Sequence, residues 1–512
     1  MPARKPENQG DSRIELGGDW LGIEAVARVG RQGAKVELSS AARQRIAAAR
    51  TVVDRAASGD AAIYGLTTGL GAAVDTRLPP EDVAAFQTRA VRARSVAVGP
   101  RLPRETVRAT MLARIAGLAA GGSGISPAVL DGLVAMLNAG VHPVVPAIGS
   151  IGAADLAPLA HLALPLIGEG EAEYQGTVMP GAEALRRAGL TPVTLGPKDG
   201  LALINSNAVG VGAGVLMLCD AEAALRSLDV SGALALEGFR GNLSPLDPRA
   251  QKARPAPGQA AATARLTALL AGSALWQPGT ARRVQDPLSF RCIAPVHGAA
   301  LDALDHARRA LEIELNSAGD NPLVLSADGA LLSTGSFDVT ALALGVELLG
   351  QALAQAAGLC AERTIKQLSP GFSDLPRVLT PRGGTRTGFA TVQKTSAALE
   401  AEIRHCALPA SLGVHAVADG VEDHASLLPQ VVAKTAEIVE RLGFLIAIEL
   451  MVAAQALDLR PAPLGQALLR IYQTVRSAIP KLDEDRAVGP DIEKIAALVR
   501  AGSIGEKSSS TL

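Results

Sequence analysis

Apolar residues recur with helical spacing along most of this chain, and the periodic stretches lengthen after Leu201. Before that point, shorter patterns predict helices over residues 40–58, 81–98 and 104–120, with another starting at Ser126-Pro127. Glycine punctuates the intervals. Ile63-Tyr64-Gly65-Leu66-Thr67-Thr68-Gly69-Leu70-Gly71 and Gly121-Gly122-Ser123-Gly124 read as loops, and residues 168–176 as the start of a short hairpin. After Leu201 the periodic stretches cover 201–227, 260–275, 298–316, 339–362, 388–407, 429–457 and 463–479. Such lengths predict a bundle of long helices with apolar faces that must be covered. The expected organisation is a disordered N-terminus over 1–15, a domain over 16–200, a long-helix bundle over 201–502 and a polar tail over 503–512.

The most apolar runs are interrupted, one by Pro158, His161 and Pro165 and another by Glu449, so no membrane-spanning helix is expected. Residues 1–11 are polar and lack the apolar core of a signal peptide. Composition supports close-packed helices: Ala, Leu, Gly and Val abound, with three Tyr and two Trp in 512 residues. A net charge of −1 gives no nucleic-acid footprint. Cys219, Cys292, Cys360 and Cys406 are far apart, which suits a reducing, cytoplasmic compartment and suggests no metal site.

The stretch richest in chemistry is Gly149-Ser150-Ile151-Gly152-Ala153-Ala154-Asp155-Leu156-Ala157-Pro158-Leu159-Ala160-His161. Its glycines permit a tight turn, Asp155 stands where a helix would be N-capped, and Pro158 fits only a first turn. The expected product is a loop with backbone N–H groups at a helix N-terminus, suited to an anion or a polarised atom.

This stretch resembles the signature of the histidine and phenylalanine ammonia-lyases, Gly-Ser-x-Gly-Ala-Ser-Gly-Asp-Leu-x-Pro-Leu, and the resemblance runs from about Val36 to Arg460. It implies a mainly α fold of the fumarase/aspartase-like superfamily: an N-terminal domain carrying the site loop, a long central helix bundle, and a homotetramer. In that family Ala-Ser-Gly cyclises to methylidene-imidazolone, the electrophile that activates the substrate. Here only Ala153-Ala154 separates Gly152 from Asp155. With no hydroxyl to dehydrate, methylidene-imidazolone is not expected, and no other cofactor or metal is.

The resemblance assigns further positions one by one. Tyr64, in Tyr-Gly-Leu-Thr-Thr-Gly-Leu-Gly, matches the tyrosine that serves as base or acid; the bland alternative is a packing tyrosine. Asn205 matches an asparagine near substrate and loop, or is a helix cap. Arg291, in Asp-Pro-Leu-Ser-Phe-Arg, matches the arginine that clamps the substrate carboxylate with two parallel bonds, or is a surface arginine. A second family tyrosine is replaced by Leu288. Phe337 matches a pocket phenylalanine, or is ordinary core. Glu422, in Val-Glu-Asp-His, matches a glutamate near the substrate amine, or forms a structural pair with His424. Arg94 lies at the position that selects the substrate side chain, or belongs to a solvated basic face with Arg89 and Arg92. Lys394 replaces an apolar residue and would act as acid or base if it faces inward.

A β-elimination without the electrophile needs a substrate with its own good leaving group, such as a quaternary ammonium, or a ring that supplies electron withdrawal. Both describe ergothionase, the branch that converts ergothioneine to thiourocanate and trimethylamine. The expected activity is therefore elimination of an amine from an aromatic or imidazole amino acid or its betaine. The alternatives are an ordinary histidine or aromatic amino-acid ammonia-lyase, if Ala-Ser-Gly is encoded, and an inactive binding homologue. A small-molecule substrate is the expected partner, with neither nucleic acid nor membrane.

Overall fold

The structure is a computed structural model that describes residues 13–413 and 415–504. Within them lie two compact units. The first draws on Met1–Cys219, Arg308–Leu344 and Ala410–Val432, the second on Asp220–Ala307, Gly345–Pro409 and Ala433–Leu512. The expected boundary between residues 200 and 201 therefore gives way to an interleaved arrangement. At four of five crossings the chain changes unit inside a long helix, because one helix packs against different neighbours along its length.

The first unit begins with β1 (Arg13–Leu16), α1 (Ile23–Gln32) and β2 (Lys35–Leu38). Strands β1 and β2 pair in parallel, and in each strand alternate residues are buried. Residues 13–15, expected to be disordered, are thus part of a strand; residues 1–12 lie outside the described residues. Helix α2 (Ser40–Ala57) starts where the Ser39 hydroxyl accepts from the Ala42 N–H at 3.0 Å. It buries Ala42, Ile46, Ala49, Val52 and Val53, one stripe of a 3.6-residue period. Ala49, Val52 and Val53 join Leu66, Val83 and Val324 in a core cluster beneath the loop that carries Tyr64. Burying each branched side chain there contributes about 1.5–3 kcal/mol.

The unit continues through α3 (Val83–Arg94), β3 (Val98–Arg101), α4 (Arg104–Ala119) and α5 (Pro127–Ala139), which opens on proline and ends on Gly140 in the left-handed conformation. Then come β4 (Val141–Pro143), β5 (Pro146–Ile148), α6 (Leu156–Ala163), the hairpin of β6 (Glu171–Tyr174) and β7 (Thr177–Pro180), α7 (Gly181–Arg187) and α8 (Asp199–Ile204). Strand β3 pairs with β5, and β4 joins the hairpin edge at β6.

Helix α9 (Ala208–Phe239) leads into the second unit, where α10 (Pro248–Ala253), α11 (Pro257–Leu269) and α12 (Leu288–Arg291) follow. Helix α13 (Ile293–Leu315) returns to the first unit and its hairpin of β8 (Leu323–Leu325) and β9 (Ala330–Leu332). Helices α14 (Thr340–Leu368), α15 (Pro370–Ser373) and α16 (Val392–Cys406) come next, then α17 (Leu428–Leu459), α18 (Gln466–Ala478) and α19 (Gly489–Arg500). Of the expected tail, Ser503 and Ile504 pack at the end of α19, with Ile504 buried; residues 505–512 lie outside the described residues.

Among the described residues, three helical stretches are long and apolar enough to cross a membrane, contrary to expectation: Asp199–Phe239, Thr340–Leu368 and Leu428–Leu459. Their most apolar windows are 89%, 56% and 83% buried inside the protein; the first and third are apolar all round as core helices are, and the second leaves much of its apolar surface exposed. Glu449 does not interrupt its run. In the second unit it is fully buried and forms an ion pair with Arg363 at 2.5 Å, and it accepts the Ser231 hydroxyl at 2.6 Å and the Cys360 thiol at 3.2 Å. This ties α9, α14 and α17 together, and removing either charge would cost about 3–5 kcal/mol.

Candidate active site

The loop 149–155 is built by contacts distant in sequence. The Gln430 side-chain amide donates to the Ser150 carbonyl at 2.7 Å, Leu427 N–H to the Ile151 carbonyl at 2.9 Å, and the Ser426 hydroxyl to the Gly152 carbonyl at 2.9 Å. Gly152 has φ +74°, and a Cβ there would stand 2.4 Å from Ser426 Oγ. Only glycine fits this approach. Two residues on, Ala154 is also left-handed, at φ +66°, although it carries a Cβ.

Asp155 corrects the expectation of a simple N-cap. It precedes α6, but its carboxylate makes no bond to that helix. One oxygen takes the Ser150 hydroxyl at 2.6 Å; the other takes the Val209 and Gly210 N–H groups at 2.8 and 3.0 Å. These amides open α9, so the anion at that helix N-terminus is the chain's own. Asp155 N–H donates to the Ser206 carbonyl at 2.7 Å and Gly152 N–H to Ser150 Oγ at 3.0 Å, so part of the loop's donor set is spent internally. Burial pushes the Asp155 pKa up to about 6 against the pull of these hydrogen bonds.

Tyr64 packs among Leu70, Phe86, Ala90 and Leu201, and its hydroxyl accepts from the Gly71 N–H at 3.1 Å. Gln87 supports the loop by donating to the Gly65 carbonyl at 3.0 Å. A Cβ on Gly71 would lie 4.0 Å from Glu422 Oε1, so the tyrosine loop and the glutamate face one another. Glu422 closes a tight turn, exchanging backbone hydrogen bonds with Val417.

Arg94 completes this group. Arg89 pairs with Asp82 and Arg92 with Glu169 at the surface. Arg94, at the end of α3, is half-buried and separates from them. Burial lowers its pKa, and electrostatic interactions with Tyr64 and Glu422 oppose that shift. Arg94, Tyr64 and Glu422 therefore share one electrostatic neighbourhood. His161, one turn beyond the loop, hydrogen-bonds the Ser95 backbone beside Arg94 and has its pKa lowered by burial.

Asn205 ends α8, where its amide donates to the Asn321 carbonyl at 2.9 Å. Helix α8 is held in turn by Arg114, which donates to the Ala202 carbonyl and pairs with buried Asp320 at 2.8 Å. Phe337 is half-buried, and its carbonyl receives the Asn207 amide at 2.6 Å. His424 does not pair with Glu422. It lies 3.1 Å from Thr340 Oγ1 and 3.3 Å from Asp338.

Arg291 and Lys394 belong to the second unit. Arg291, half-buried at the end of α12, donates from Nε to the Asp286 carbonyl at 2.9 Å. Lys394 is exposed on the single chain. Helix α16 buries Val392, Ser396 and Ile403, and Lys394 lies two residues, about 200° around the helix, from Val392.

Sequence reasoning missed Ser426 and Gln430, which clamp the loop, and Asn207 and Glu314, which line a small cavity behind Phe337. The spacing Asn205-Ser206-Asn207 offered a signal for one of them; Glu314 sits in a helix whose pattern does not set it apart.

Comparisons with known proteins show the family. The family model for aromatic amino acid lyases matches residues 21–477. A histidine ammonia-lyase from Anaeromyxobacter sp. (strain K) is 43% identical over 502 residues, covering 96% of this chain and 99% of that protein. The crystal structure of ergothionase from Treponema denticola, an ergothioneine-degrading enzyme solved with desmethyl-ergothioneine sulfonic acid, superposes with TM-score 0.93 at 33% identity. It covers 96% of this chain and 99% of that one. Histidine ammonia-lyase from Trypanosoma cruzi follows with TM-score 0.89 and 33% identity, over 96% and 94% of the two chains. With its mainly helical fold, its site loop and this likeness along nearly its whole length, the chain belongs to the aromatic amino acid lyase family and is a carbon–nitrogen lyase.

Proposed function

We propose that this enzyme eliminates a tertiary amine from an imidazole-alanine betaine, such as ergothioneine, to give an aryl-acrylate, without methylidene-imidazolone. One observation carries the reading: between Gly152 and Asp155 stand two alanines and no hydroxyl, so the residues do not fit the group. The nearest hydroxyl in the loop, that of Ser150, is committed to Asp155. A primary amine leaves poorly unaided, whereas a trimethylammonium group departs as neutral trimethylamine.

In this reading Tyr64 removes the β-hydrogen, the C–H electrons form the Cα=Cβ bond, and the C–N bond breaks. Glu422, facing the tyrosine loop, holds the cationic nitrogen. Arg94 meets an anionic ring substituent, a thiolate or sulfonate; the sulfonic acid bound in the Treponema relative is of that kind. Asn205 and Phe337 line the substrate side, and the family resemblance assigns the carboxylate clamp to Arg291. Lys394, exposed on the single chain, would act as acid or base where a second protomer covers α16. We propose a homotetramer as the working form, supported by the family resemblance and by the exposed Leu344 and Leu348, one turn apart on α14.

The test is to supply ergothioneine, histidine betaine and histidine separately, reading acrylate absorbance and the amine released. Trimethylamine from a betaine is the expected result. Ammonia from histidine, together with a site-loop peptide that has lost water, would favour the ordinary ammonia-lyase reading. Binding without turnover would favour an inactive homologue.

A further inference from the structure

Behind Phe337 lies a cavity of about 40 Å³, lined among others by Arg114, Ser206, Asn207, Glu314, Ser317 and Phe337. Asn207 is only 6% exposed. Its Nδ2 donates to the Phe337 carbonyl at 2.6 Å, and since a carbonyl only accepts, the amide orientation is settled. Its Oδ1 is then a buried acceptor with no partner among the described residues. Buried polar atoms are rarely left so, and an orphan of this kind marks a place for a donor.

Apart from Arg114, the polar side chains around the cavity present acceptors. Glu314 contributes a carboxyl group, and burial with the nearby charge of Asp338 pushes its pKa up to about 7. Asp338 is itself 3.3 Å from His424. The Ser317 hydroxyl gives its proton to the Ile313 carbonyl at 2.6 Å, and Ser206 Oγ accepts from Ala208 N–H at 3.3 Å. Arg114 is the opposing charge, but it is matched by Asp320 at 2.8 Å and turned toward the Ala202 carbonyl. What fits is a small, positively charged donor. A water-sized particle needs about 10–15 Å³ of such space, so the cavity has room for one. A quaternary nitrogen has no N–H to give Asn207 Oδ1.

We propose that this cavity is a seat for one small monovalent cation of ammonium size, bound between Asn207 Oδ1 and Glu314. The cation links the start of α9 to α13 and, through Asn207, to the Phe337 backbone. It orders the segment that carries Phe337. The site is independent of which amine the enzyme releases.

The test uses the full-length wild-type protein with ammonium, potassium or tetramethylammonium chloride at equal ionic strength, and crystals soaked in thallium(I). Expected are a single anomalous peak about 3 Å from Asn207 Oδ1 and a melting temperature about 1–2 °C higher in ammonium or potassium than in tetramethylammonium. Glu314→Gln should weaken the ammonium response about tenfold. Equal melting temperatures in the three salts, with no thallium in the cavity, would show a trapped water and overturn the proposal. That result needs no variant to fold.

Discussion

The Asp155 carboxylate accepts the Ser150 hydroxyl at 2.6 Å, and this bond fastens the site loop to a helix that starts more than fifty residues later, since the same carboxylate caps Val209 and Gly210. Asp155 is fully buried, and its pKa is raised from 3.8 to about 6. A raised carboxyl pKa means the folded state holds the proton more tightly. The stabilising contribution is complete below pH 3.8 and is lost as pH rises through about 6. By pH 8 the ionised form costs about 3 kcal/mol relative to the protonated one. Asp155→Asn keeps the shape and does not titrate. Urea unfolding from pH 4.5 to 8 should show wild type losing ground to the variant as pH rises. Parallel curves would contradict this.

Ala154 holds φ +66° immediately before Asp155, where the family pattern has glycine. A left-handed residue with a Cβ is strained by about 1–2 kcal/mol, partly offset in a glycine variant by the extra freedom of the unfolded chain. Ala154→Gly should therefore stabilise the protein by about 0.5–1 kcal/mol. A lower urea midpoint for the variant would show that the loop is not strained there.

Tyr64→Phe keeps the ring among Leu70, Phe86 and Leu201 and removes the hydroxyl that meets Gly71 N–H. If Tyr64 moves the β-proton, kcat should fall by about 10²–10⁴ with little change in KM. Full activity in a folded variant would place the proton transfer elsewhere.

Arg94→Met should discriminate between ligands. Affinity for an imidazole propanoate bearing a sulfonate should drop by about 10–100-fold, the usual loss for a charged hydrogen bond. The unsubstituted ring should bind as before. Titration calorimetry with both ligands reads the difference, and equal losses would mean that Arg94 does not meet the ring substituent.

Arg291→Lys tests the carboxylate clamp. A point charge cannot reproduce two parallel bonds, so KM should rise by about tenfold or more. An unchanged KM would remove Arg291 from substrate binding.

Much of the fold could be read from spacing. The period that predicts a helix over 40–58 is the stripe Ala42, Ile46, Ala49, Val52 and Val53 that α2 buries, and the stretch 429–457 lies within α17. Local rules suffice there because a helix makes its hydrogen bonds within itself and needs only one apolar face. Glycine spacing likewise located the loops around Tyr64 and Gly152, and the pair Ala153-Ala154 by itself raised the question of the missing electrophile.

Where side chains find distant partners, the sequence was silent. Asp155 reads as the cap of the helix that follows it, yet it caps α9, whose N-terminus offers buried, otherwise orphaned amides. Glu449 reads as a break in an apolar run until Arg363 neutralises it. Lys394 is exposed because Val392 and Ser396 set the buried face of α16. The linear pattern determined the elements and the chemical types available. Tertiary structure decided which charge each carboxylate meets and which face is covered, because desolvation and pairing depend on distances that the chain sets only when folded.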